Sequence, residues 1–160
     1  MTQDQHHHLF MAEALRLAEG NISAGKGGPF GAIVVKDGEI IAAAENRVIL
    51  NNDPTAHAEI VAIREACSRL GSFQLDGCDI YTSCEPCPMC LGAIYWARPR
   101  AIYYAGTRED AAAAGFDDAF IYTELPLPPS MRKIQSQECM RDEARAVFQK
   151  WTETDHRPVY

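Results

Sequence analysis

Ser83-Cys84-Glu85-Pro86-Cys87-Pro88-Met89-Cys90 is the stretch on which the reading of this chain turns. Cys87 and Cys90 stand at i and i+3, so on a helix they share one face, and Pro88 fits an early helical position where its missing N–H is not needed. At a helix start the unpaired N–H groups and the positive dipole end favour thiolates over thiols. Cys78 to Thr82 reads as a strand, so the stretch predicts a strand, a tight connection and a helix that opens on two metal-ready sulfurs. No residue from Pro86 to Ala97 is charged, which predicts a helix buried nearly all round.

Working upstream, Asn51-Asn52-Asp53-Pro54 is turn chemistry, and Thr55 is a candidate cap for a helix running to about Leu70 and burying Ile60, Ile63 and Cys67. His57 then sits in that helix's first turn. Outside the triplet His6 to His8, the chain's other histidine is His156, near the end. Two facing helix starts would deliver one imidazole and two thiolates to one zinc ion and leave the fourth tetrahedral position to water, as in catalytic sites. Such an ion lowers the pKa of its water toward ~7. Glu59, two residues past His57, has the reach and chemistry of a general acid and base. Two other readings stay open. A structural zinc would need Cys84 as a fourth ligand, and a dithiol redox centre would explain neither His57 nor Glu59. Cys67, Cys78 and Cys139 read as small buried hydrophobes.

The rest of the chain bounds these readings. A length of 160 residues, with 47% hydrophobic and 23% charged, fits one folded domain. The net charge of -7, with acids exceeding bases in the first 105 residues and in the remainder, is the wrong sign for gripping a phosphate backbone. No signal-peptide pattern and no bilayer-spanning apolar run is visible, which points to the cytoplasm, where six cysteines stay mostly reduced. His6 to Ala24 reads as a helix with a stripe at Met11, Leu15, Ala18 and Ile22, its three histidines exposed at the start. Gly31 to Lys36 and Glu39 to Glu45 are strands joined by the hairpin signal Asp37-Gly38. Arg100 to Ala105 is another, and strand, helix, strand implies a parallel crossover within a mixed α/β sheet. Beyond Gly106, Leu125-Pro126-Leu127-Pro128-Pro129 is a stiff connector. It leads to a helix with an apolar stripe at Met140, Ala144, Val147, Phe148 and Trp151, for which a second copy of the chain is a candidate surface.

Four segments carry a resemblance: Gly28 to Ala32, Asn51 to Glu59, Ser83 to Ala97, and Gly115-Phe116-Asp117-Asp118-Ala119-Phe120-Ile121-Tyr122, with the terminal Tyr160. Together His57-Ala58-Glu59 and Pro86-Cys87…Cys90 form the H-x-E and P-C-x-x-C signature of zinc nucleobase deaminases. The chain resembles the cytidine deaminase-like superfamily and, within it through the fourth segment, the small bacterial guanine deaminases. The resemblance implies a three-layer α/β/α fold with a central mixed sheet of about five strands. It implies one zinc per chain on His57, Cys87 and Cys90, with Glu59 as proton shuttle and Asp118 assisting amine departure. It further implies that Asn46 and the Ala58 N–H contact the base, and that Phe30, Trp96 and the neighbouring subunit's Tyr160 shape an aromatic slot. The implied assembly is a homodimer in which residues from about 124 to 160 are swapped, and the implied reaction converts guanine to xanthine and ammonia. On spacing alone Phe30 and Trp96 read as core, Asp118 as a turn or cap residue, and Asn46 as a strand terminator. Rival readings are a tRNA adenosine deaminase or cytosine deaminase of the same superfamily, and a zinc-stabilised interaction module without turnover.

Overall fold

The computed structural model describes residues 2–158. The chain divides into two compact units, Met1–Asp118 and Ala119–Tyr160. The first unit runs α1 (Gln3–Ser23), β1 (Gly31–Lys36), β2 (Glu39–Glu45), α2 (Val48–Asn51), α3 (Ala58–Leu70), β3 (Cys78–Cys84), α4 (Pro88–Ala97), β4 (Ala101–Gly106) and α5 (Arg108–Ala113). The second holds α6 (Ala119–Glu124), a 3-10 turn at Pro129–Met131 and α7 (Arg141–Thr152). No helix among the described residues is long and apolar enough to cross a membrane.

The sheet order is β2-β1-β3-β4, with β1 antiparallel to both neighbours and β3 parallel to β4. Asp37 and Gly38 join the hairpin at φ 50° and 81°, the pair of positive values that a two-residue type I′ loop demands. Strand alternation then builds two cores. Ala32, Val34, Ala42, Ala44 and Ile80 pack with Val61, Ala62 and Ala66 of α3 and with Ile94 and Ala97 of α4. Ile33, Val35 and Tyr81 pack on the other face with Phe10, Met11, Ala14 and Leu17 of α1. Helices on both faces make three layers.

This sheet has four strands, not about five. Beyond Gly106 the described chain forms no strand: Thr107 caps α5 by accepting from the Asp110 N–H, and Pro126, Pro128 and Pro129 lack the donors a ladder requires. The buried face of α1 is also rotated from the expected stripe. Ala14, Ala18 and Asn21 are buried while Leu15 and Ile22 are exposed, because the helix lies directly on Gly31. A Cβ there would stand 2.3 Å from the Ala14 carbonyl oxygen and 2.9 Å from the Ala18 nitrogen.

Other expectations change for similar reasons of neighbourhood. Helix α4 buries Cys90, Ile94 and Ala97, yet Tyr95 and Trp96 are 75% and 65% exposed, since neighbours cover only part of an uncharged helix. Thr55 does not cap α3; its hydroxyl and N–H donate to Asp53, and His57 holds the cap position. Cys139 is exposed in the coil before α7. His7 is half-buried, its Nδ1 2.7 Å from the Tyr81 hydroxyl and its ring 4.3 Å from that of Tyr103. In the second unit Val147 and Phe148 of α7 are exposed.

The register brings the chemistry-bearing segments together. Gly31 faces Glu45 and Ala32 faces Thr82, so the start of β1 lies with the ends of β2 and β3. The Gly31 N–H donates to Ser83 Oγ at 3.0 Å. Phe30, Asn46 and the Cys87 region therefore emerge at one end of the sheet. Gly31→Ala is expected to cost about 2 kcal/mol, because the atoms it would strike are mainly backbone and cannot swing aside. A chemical-denaturation midpoint unchanged from wild type would contradict this packing.

Candidate metal centre and active site

His57 and Cys87 occupy the same place in their helices. Each is the cap residue ahead of the first turn, with extended backbone at φ -64°, ψ 156° for His57 and φ -64°, ψ 167° for Cys87. Neither side chain bonds the N–H groups of its own helix. They turn toward each other: His57 Nδ1 lies 3.6 Å from Cys87 Sγ and 3.5 Å from Cys90 Sγ. These three ligand atoms lie within 4.8 Å of one another. A tetrahedral zinc with Zn–S near 2.3 Å and Zn–N near 2.05 Å requires S···N of about 3.6 Å, so the donor set fits zinc. Cys84 stands apart at the end of β3, its Sγ donating to the Thr107 carbonyl at 3.5 Å and its pKa pushed up to about 11, chiefly by burial. The described cluster thus has three ligands, and its composition is that of an open site.

The three ligand groups share protons. Cys87 is pulled down to about 4, first by the hydrogen bond from Cys90 and then, against burial, by His57. Cys90 is pushed up by its bond to Cys87 and by burial, and His57 is raised by its bond to Cys87. The cluster therefore favours a thiolate at Cys87 over one at Cys90, and binding of a divalent ion would release the protons the ligands still hold.

Glu59, in the first turn of α3, is 8% exposed, and burial raises its pKa, with its own N–H and the Cys90 thiol pulling the other way. It lies beside the ligands without being one of the three. Asp118 is half-buried; burial raises its pKa first and the charge of Cys87 second, which brings it into the electrostatic range of the cluster. Ala58 opens α3, so its N–H is one of the helix's donors without an intrahelical acceptor. Asn46 is buried with Oδ1 accepting from the Val48 N–H at 3.2 Å, which leaves Nδ2 as the donor end. Phe30 is half-buried against Phe116, ring centroids 4.9 Å apart and nearly perpendicular. Trp96 is exposed in the last turn of α4, about one and a half turns beyond Cys90. Tyr160 lies outside the described residues.

Two residues escaped the sequence reading. Phe116 lies within a quoted segment, but nothing in its spacing assigns it to Phe30. Asn21 falls seven residues after Ala14 and three after Ala18 on the buried face of α1, and its polarity there was the available signal.

The profile of the cytidine and deoxycytidylate deaminase zinc-binding region matches residues 4–106. The chain belongs to this deaminase family. Within it, guanine deaminase of Bacillus subtilis is 54% identical over 154 residues, 96% of this chain and 99% of that protein. The X-ray structure of guanine deaminase from Bacillus subtilis superimposes with a TM-score of 0.93 at 52% identity, over 100% of this chain and 99% of that one. The tRNA-specific adenosine deaminase of Aquifex aeolicus is 46% identical over 96 residues, covering 60% of this chain and 63% of that protein. As a deaminase site, the cluster calls for three protein ligands. Cys84→Ser is expected to retain the zinc content of wild type by atomic emission, whereas Cys87→Ser and Cys90→Ser lose most of it. Loss of zinc in Cys84→Ser would restore the four-ligand structural reading.

Proposed function

We propose that this protein is a zinc-dependent hydrolytic deaminase that converts guanine to xanthine and ammonia. The observation that carries the reading is the reach of the likeness. The family region ends at residue 106, but the resemblance to a guanine deaminase continues over 96% of the chain, whereas those to tRNA-specific adenosine deaminases cover between 48% and 72% of it. A net charge of -7 also suits a small base better than a tRNA backbone.

His57, Cys87 and Cys90 would hold one zinc per chain, which supplies Lewis acidity and brings water toward ionisation at neutral pH. The chain's own groups do the rest. Glu59 takes one proton of the attacking water and gives it to the ring nitrogen as the C–O bond forms, then carries the proton of the new hydroxyl to the amine, so that the C–N bond breaks, the oxygen becomes the carbonyl and ammonia departs. Burial suits Glu59 to this work by easing its return to the protonated form. Asp118 assists departure of the amine. The Asn46 amide and the Ala58 N–H hold the base by its edge, and Phe30, Trp96 and a partner subunit's Tyr160 enclose its faces. The reading treats residues 1 to 160 as one deaminase domain whose segment from about 124 onward is exchanged between two copies. The exposed stripe of α7 and the proline connector support that exchange. Six free cysteines, two of them in the metal centre, suit a reducing compartment such as the cytoplasm.

Ammonia release from the zinc-loaded protein is the direct test, with guanine, cytosine, adenine and a tRNA anticodon stem as the panel. Turnover of another member without guanine would overturn the reading, and no turnover of any would favour an interaction module. Glu59→Gln is expected to keep zinc and lose roughly 10²–10⁴-fold in kcat; retained activity would remove Glu59 from the mechanism. Deleting Tyr160 is expected to weaken base binding while leaving the melting temperature unchanged, and wild-type kinetics in that variant would show that the tail does not close the site.

A further inference from the structure

Asn21 is 2% exposed on the inner face of α1. Its Nδ2 donates to two main-chain carbonyls from separate loops, Gly28 O at 2.8 Å and Asn46 O at 3.0 Å. Its Oδ1 is buried with no hydrogen-bond partner, a state recorded for no other buried side-chain polar atom among the described residues. An unpaired buried acceptor is costly, and the forked donor offsets that cost by satisfying main-chain carbonyls that an apolar side chain would leave short of a donor. What it supplies is a forked donor, and both carbonyls it grips belong to segments that the proposed function places against the base.

Those segments are closed on each other. Phe30 N–H donates to Gly28 O at 2.8 Å, Asn46 N–H to Phe30 O at 3.0 Å, and Arg47 N–H to Ala56 O at 2.9 Å, next to His57. With its main chain held by Asn21 and its Oδ1 held by Val48, Asn46 has one orientation in which Nδ2 is the remaining donor. Gly27 leaves the clamp its room: a Cβ there would lie 3.1 Å from Asn21 Nδ2, 3.1 Å from Asn46 O and 3.3 Å from Asn46 Oδ1.

We infer that Asn21 is a positioning residue, which locks the Gly28–Phe30 and Asn46 loops in register and so sets affinity for the base without entering the chemical step. The inference rests on the guanine reading. Glu59 and the three ligands are carried by α3 and α4, so loosening the clamp leaves them in place.

The test uses the zinc-loaded full chain. Asn21→Asp, which replaces the donor by an acceptor facing two carbonyls, and Asn21→Ala are expected to raise KM for guanine and weaken xanthine binding, by calorimetry, each about tenfold, the scale of losing such bonds. Zinc content and kcat are expected to stay near wild type. Ala18→Gly, a buried change on the same helix with no bond to either loop, is the control for lost stability. KM unchanged in folded Asn21 variants would overturn the inference, as would an equal rise in Ala18→Gly at a matched fall in melting temperature. If both Asn21 variants fail to fold, Gly27→Ala decides: it presses on the same clamp, and a raised KM supports the inference while an unchanged one overturns it. Wild type failing to turn over guanine would instead strike the functional reading itself.

Discussion

The structure depends on two helix starts meeting at one end of a sheet. Helices α3 and α4 each begin with a residue in extended conformation, so that His57 and Cys87 project from the cap across the gap between the helices. One turn further, Cys90 joins them with its sulfur 3.5 Å from the imidazole nitrogen. The unpaired N–H groups and dipoles of both termini raise the local positive potential, which favours a thiolate at the half-buried Cys87. That advantage exists only while both helices keep their positions. The sheet fixes them, because α4 follows directly from β3 and both helices pack over the same face of the strands.

The groups that would meet a base are held separately. Phe30 precedes β1 and Asn46 follows β2, so the hairpin brings them together by register and not through the metal site. Their loops are irregular, and irregular backbone must find acceptors and donors outside a ladder. Asn21, Ser83 and the Asn46 side chain provide some of these. In the proposed reading, ligands on helices and base contacts on clamped loops would divide the labour, one part setting the reactivity of the centre and the other what is admitted to it.

Much of this was legible in residue order, for identifiable reasons. Cys-x-x-Cys at a helix start, Asp37-Gly38 between apolar runs and the strand-helix-strand rhythm each encode local geometry, and each appears as expected. What failed were several inferences about cover. Helical periodicity proposed Leu15 and Ile22 beside Ala18 for the buried face of α1, but the close approach to Gly31 keeps Ala18 and selects Ala14 and Asn21 in place of the other two. Absence of charge proposed a fully buried α4, yet its far side is open at Tyr95 and Trp96. A cap assigned by residue preference went to Thr55, while His57 took the position through the path of the chain.

By itself, the sequence determined the ligand types, their spacing and the elements that bear them, since these follow from backbone periodicity and the chemistry of sulfur and imidazole within a few residues. Tertiary structure alone decided that the sulfurs and the imidazole stand at zinc-ligand separation, that Cys84 is turned away toward Thr107, and that Asn21 joins two loops. Those facts rest on contacts between residues 7 to 33 positions apart or set neighbours in different directions. No periodicity records a distance of that kind; it arises only when packing of the helices on the sheet leaves one arrangement that closes the core.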